Sequence, residues 1–119
     1  MATPTVTVTA SASAAVNYGQ QFLADVEPWN VAAADAHGAG LDSTAARAAG
    51  QQAVDTARKL LDQSWPTADE SDVHALALAF DTLNEDIVVD NQTKYLNDGI
   101  ALNADANVVR AELGLPSIR

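Results

Sequence analysis

The sequence predicts an all-α domain, a small bundle of four to five helices around a central antiparallel helix hairpin, with an extended β-like arm at its N-terminus. Three observations predict it. From Thr67 to Asp90, Val73, Leu76, Ala77, Phe80, Leu83, Asn84 and Ile87 recur at spacings of three and four, which places them on one side of a helix. The stretch before it repeats that spacing with smaller residues, Ala46, Ala49, Gly50, Ala53 and Ala57, and then Leu60 and Leu61. Only a short link around Trp65-Pro66 separates the two, so they read as a hairpin over about residues 43–90. At the N-terminus Thr5, Thr7 and Thr9 alternate with Val6 and Val8, the period of two that belongs to extended backbone.

The chain of 119 residues fits one domain, which at this size buries roughly two-thirds of the surface its unfolded chain exposes. Residues 1–11 read as the arm, 12–115 as the helical domain and 116–119 as a tail. Apolar residues make up 48% of the chain, but many are Ala, so the core is built by close backbone approach more than by bulk.

The arm leaves a row of backbone N–H and C=O groups unpaired, so it finds an edge on another subunit, forms a small ribbon within its own chain, or frays. Val6 and Val8 are its contact residues. Ser11 or Ser13 suits the cap of the first helix, whose apolar positions are Ala15, Tyr18, Gly19, Phe22, Leu23 and Val26. Pro28 predicts an end near Glu27, because the residue before proline avoids the α region. Trp29 then falls at a corner, where its ring plugs the bundle end and its N–H seeks a carbonyl or water. Residues Asn30 to His37 form a separate Ala-rich helical turn that stops at Gly38 and Gly40.

Asp42 or Ser43 opens the second long helix, which runs to about Ser64 with Arg58 and Lys59 near its C-terminal end, where positive charge is favourable. Thr67 and Glu70 have the spacing of a capping box for the third. Leu78 lies on the side of that helix away from Phe80. Residues 91–102 support two readings. One is a short helix with Tyr95 and Leu96 inward and Gly99 as its C-cap; the other is a β-hairpin turned at Asp98-Gly99. A last helix from Asn103 or Asp105 carries Ala106, Val109 and Leu113 and stops at Gly114, and the tail after Pro116 is mobile unless it docks.

Function is bounded mainly by exclusion. Sixteen acids against six bases give a formal charge of −10, which opposes direct binding of nucleic acid. No base precedes Arg47 and none lies between Lys59 and Lys94, so the third helix presents an acidic face through Asp72, Glu85, Asp86 and Asp90. No apolar run approaches the ~18 residues of a membrane span, and the first residues lack a secretory signal's positive start and unbroken apolar stretch. The expected location is the cytoplasm, or an assembled particle. With no cysteine there is neither a disulfide framework nor a thiolate site.

Chemistry-bearing patterns are sparse. Glu70 and His74 share helical spacing, but one pair of ligands does not make a metal centre, and His37 is far off in sequence. Asp81 with Glu85 and Asp86 with Asp90 read as solvated carboxylates on a helix flank, without the pocket that separates two pKa values. Gly38, Gly40 and Asp42 read as a hinge or cap, and no nucleophile motif occurs. No catalytic residue, cofactor or metal is predicted. The leading functional reading is a non-enzymatic assembly subunit, such as a virion component, whose arm contacts a neighbouring copy in a homo-oligomer. A small acidic adaptor or inhibitor docking its acidic helix on a basic protein is the second. A helical enzyme or ligand binder, with Tyr18, Tyr95 and the histidines as its only polar candidates, is the third.

Overall fold

Asn17 starts the first helix by accepting a hydrogen bond on its side-chain oxygen from the Gln20 backbone N–H at 3.0 Å, and α1 (Tyr18–Asp35) continues from there. The structure, a computed structural model, describes residues 16–118; the predicted arm, with Val6 and Val8, and the candidate caps Ser11 and Ser13 lie outside them. Proline does not end α1. Pro28 sits inside the helix, and the carbonyl that loses its donor belongs to Ala24, an exposed residue where water can take the bond. The apolar stripe of Phe22, Val26 and Trp29, all buried, outweighs the local cost of the proline. Trp29 is therefore a mid-helix core residue and not a corner plug, its ring edge-on to Phe80 at 5.5 Å between centroids. The expected separate turn over residues 30–37 is mostly the last part of α1, and the chain reverses beyond it with Gly38 at φ +81°, a conformation that suits glycine.

Ser43 caps α2 (Thr44–Asp62), its hydroxyl accepting from the Ala46 N–H at 3.1 Å. The predicted small-residue face is buried from Ala46 to Leu60, whereas Leu61 faces solvent. At Gly50 a Cβ would lie 2.5 Å from Oδ1 of Asn84, so a larger residue there has to turn the Asn84 amide aside.

The third helix, α3 (Glu70–Val88), starts two residues later than the Thr67–Glu70 pattern suggests. Its N-cap is Asp69, at φ −104° and ψ −11°, which is outside the extended region that side-chain capping requires, and no side-chain cap bond forms. The link before it is tied down instead by the Trp65 indole N–H, which donates to the Leu60 carbonyl at 2.8 Å, and by the Asp69 N–H donating to Pro66 O at 2.9 Å. All five large seam residues, Val73, Leu76, Phe80, Leu83 and Ile87, are buried, and Leu78 is exposed.

Residues 92–112 form one helix, α4 (Gln92–Glu112), and neither the hairpin at Asp98-Gly99 nor a break before Asn103 exists. The reversal occurs earlier. Asp90, at φ +55°, turns the chain, and the Asn91 side chain caps α4 by accepting from the Lys94 N–H at 3.0 Å. Tyr95 is half-buried and Leu96 exposed, not inward as expected. After Gly114 the tail folds back on α4 and is not free. Asn107 accepts from the Ile118 N–H at 2.8 Å and donates to the Ile118 carbonyl at 3.0 Å, while Arg110 donates to Pro116 O at 2.6 Å.

The result is a four-helix, all-helical domain with no strand among the described residues. Helices α2 and α3 share the most extensive interface, with α1 packed on α2 and α4 on α3. The main core runs from Phe22 and Trp29 through Ala53 and Leu76 to Val109, and a smaller cluster gathers Ile87 with Leu41 and Ala46.

Candidate functional site: the groove between α1 and α4

Because helices pack in chain order and α1 and α4 do not form a close pair, the seam between these two stays open. Its central hollow, about 400 Å³, has Trp29, Leu83 and Leu102 in its floor, Asn30 and Ala33 on the α1 side, and Leu96, Ile100 and Asn103 on the α4 side. Among the described residues no charged side chain lines it. Leu96 and Ile100 are 56% and 70% exposed, an apolar step on the surface of a chain with a formal charge of −10. Asn30 and Asn103 each offer a donor and an acceptor and make no side-chain hydrogen bond to another described residue. Burial pushes the Tyr95 phenol above its usual range, so at neutral pH it is a hydroxyl. These groups can hold a neutral chain, and the Tyr95 hydroxyl is the one titratable group among the described residues that line the hollow.

Toward the end of α4 the groove is already used. Ile118 lies with Phe22, Leu76 and Ala106 in the adjoining hollow, held there by the two bonds from Asn107.

The predicted acidic face is not one surface. Asp86 is 1% exposed, with Oδ1 held by the Lys94 ammonium at 3.1 Å, so it is an interior link between α3 and α4 and not a docking carboxylate. Lys94 also pairs with Asp98 at 2.6 Å. Burial and a hydrogen bond with Asp98 push the Asp86 carboxyl above its ordinary value, with Lys94 acting in the opposite sense. Glu85 and Asp90 are exposed near the C-terminal end of α3, while Asp72 lies about 20 Å away near its start. There Asp72 adjoins Glu112, which is pushed up to about 7, first by a hydrogen bond with Asp72, then by burial and by the charges of Asp72 and Asp69.

Replacing Lys94 with Met keeps the stem and removes the charge, leaving Asp86 buried without its counterion. A carboxyl with a raised native pKa supports the fold most below its unfolded value of about 3.9 and loses that contribution as pH rises. The midpoint of urea unfolding is therefore expected to fall more at pH 8 than at pH 5 in Lys94→Met.

A second buried acid has no counterpart in the sequence reading. Asp25, 5% exposed on α1, accepts from the Gln63 side-chain amide at 3.1 Å, and its backbone carbonyl accepts from the Thr56 hydroxyl at 3.4 Å. Its other oxygen and the Gln63 amide oxygen are both buried without a hydrogen-bond partner among the described residues. Burial pushes Asp25 up, with the Gln63 bond and the Lys59 charge partly offsetting it. A proton on the second oxygen would remove the buried charge and turn that atom into a donor, on the same carboxyl that already meets the Gln63 amide. Asp25→Asn supplies that hydrogen at every pH, so it is expected to stabilise the fold by about 1 kcal/mol at pH 8 and by little at pH 4. Urea unfolding across that range measures it.

His37 is exposed and His74 half-buried on separate helical regions, and among the described residues no three His, Asp or Glu side chains are placed to hold a metal ion. No helix among them is long and apolar enough to cross a membrane. Comparison of the chain with protein-family models, with curated proteins and with solved structures finds no match in any of the three.

Proposed function

We propose that this chain is a non-enzymatic structural subunit of a larger assembly, in which residues 1–11 serve as an extended arm that holds a neighbouring copy. The central α2–α3 hairpin is then the rigid scaffold of each copy, and the particle, a virion or a comparable body, is built by repetition of the arm contact. The observation that carries this reading is the uncharged apolar groove with exposed Leu96 and Ile100, on an otherwise acidic chain whose residues 1–15 contain no charged side chain. Apolar surface grouped in a groove marks a contact site more often than the same residues scattered singly. The acidic-adaptor alternative is weaker on this geometry, since Asp86 is buried and Asp72 is remote from Glu85 and Asp90.

The test is sedimentation of the full chain beside Val6→Asp/Val8→Asp. The proposal expects a concentration-dependent oligomer for the first and a monomer for the second, with equal helix content by circular dichroism. Two identical monomeric profiles would remove it.

A further inference from the structure

We propose that the α1–α4 groove is the receiving site of the arm, and that it takes Thr5–Thr9 of a second copy, with Val6 and Val8 against Leu96 and Ile100. This rests on the assembly reading above and specifies where the contact is made.

Four observations support it. The groove already holds the C-terminal segment through its backbone. Asn107 holds both the N–H and the C=O of Ile118 with a single side-chain amide, while the Ile side chain lies in the hollow beside Phe22. Asn103 stands one helical turn before Asn107 on α4, and Asn30 lines the same hollow from α1. Each can grip the backbone of a strand as Asn107 grips the tail, which supplies the peptide-group partners that a lone strand lacks.

The lengths agree. Val6 and Val8 stand about 7 Å apart on an extended backbone, and α4 rises about 6 Å from Leu96 to Ile100, in the part of the groove that the tail leaves free. The chemistry agrees as well: an alternating Thr/Val segment without charge meets a lining without charge. Finally, the tail favours a neighbour's arm over the chain's own. Ile118 fills the groove between the start of α1 and the hollow at Ile100. A segment from another copy enters by the open end near His37 and Leu96 without crossing the tail.

The chain contains no cysteine, so single cysteines report contacts cleanly. Full-length Val8→Cys is mixed with full-length Ile100→Cys, or with Leu96→Cys to allow for register, under mild oxidation. Leu78→Cys, equally open to solvent on α3, is the control partner. A mixed disulfide dimer is expected at least about tenfold faster with a groove cysteine than with Leu78→Cys, because docking raises the local thiol concentration. Asn103→Ala in the groove-bearing chain is expected to erase that advantage. Equal rates for all partners, with the full chain still oligomeric, would overturn the groove while leaving the assembly reading in place. A disulfide formed within one chain of a Val8→Cys/Ile100→Cys variant, with none between chains and a monomeric mass, would overturn both.

Discussion

Replacing Phe80 with Ala is expected to remove about 4 kcal/mol of folding stability, a large share of the roughly 5–15 kcal/mol available to a domain of this size. Phe80 is 2% exposed, lies edge-on to Trp29 and joins α3 to α1 beneath the groove. Truncation therefore loses the transfer free energy of a ring and opens a cavity that helices held by other contacts cannot close. It also takes the support from under Trp29, so a variant that still folds should lose arm binding. Leu78→Ala, one helix face away and exposed, is expected to change stability by less than about 0.5 kcal/mol. Urea unfolding of the pair measures the contrast, and equal losses would mean that the α3 seam is not the core.

Trp65→Ala is expected to cost about 3–5 kcal/mol for two separable reasons. The ring packs edge-on to Phe22 at 6.4 Å and tilted against Tyr18 at 6.2 Å, closing the end of the domain where α1 begins and α2 gives way to α3. Its N–H satisfies the carbonyl of Leu60, a fully buried residue, and loss of that bond leaves the oxygen without a donor. Trp65→Phe keeps most of the packing and removes the donor, so it should cost about 1–2 kcal/mol. If the two variants unfold at the same denaturant concentration, the hydrogen bond carries the stability and the ring packing does not.

The role the sequence suggests for Trp29, a plug at a corner with its N–H on a carbonyl, is the one Trp65 performs. The error traces to Pro28, whose local preference was outweighed by a stripe of apolar contacts on both sides of it. Periodicity marks the buried faces of α2 and α3 well, down to the small residues at Ala49, Gly50 and Ala53, because a helix seam repeats at fixed spacing. It misplaces the acids. Asp25 falls three residues after Phe22 and Asp86 three after Leu83, inside the apolar stripes, and that position was the available signal for their burial. Their partners, Gln63 at the C-cap of α2 and Lys94 on α4, are remote in sequence, and such pairing leaves no local pattern. The groove was illegible for a similar reason, since it arises from α1 and α4 failing to close, a property of packing order. Neither sequence reading carries α4 through Gly99, since one caps a short helix there and the other turns a hairpin; the Lys94–Asp98 pair at helical spacing favours helix over hairpin, and the helix runs on to Glu112.

The central claim is that the N-terminal segment holds copies together, and absolute mass by light scattering after gel filtration tests it most directly, on the full chain and on a chain beginning at Ala12. The account predicts a defined oligomer for the first and a helical monomer for the second. A full chain that runs as a monomer, or a shortened chain that keeps the oligomer, would contradict it.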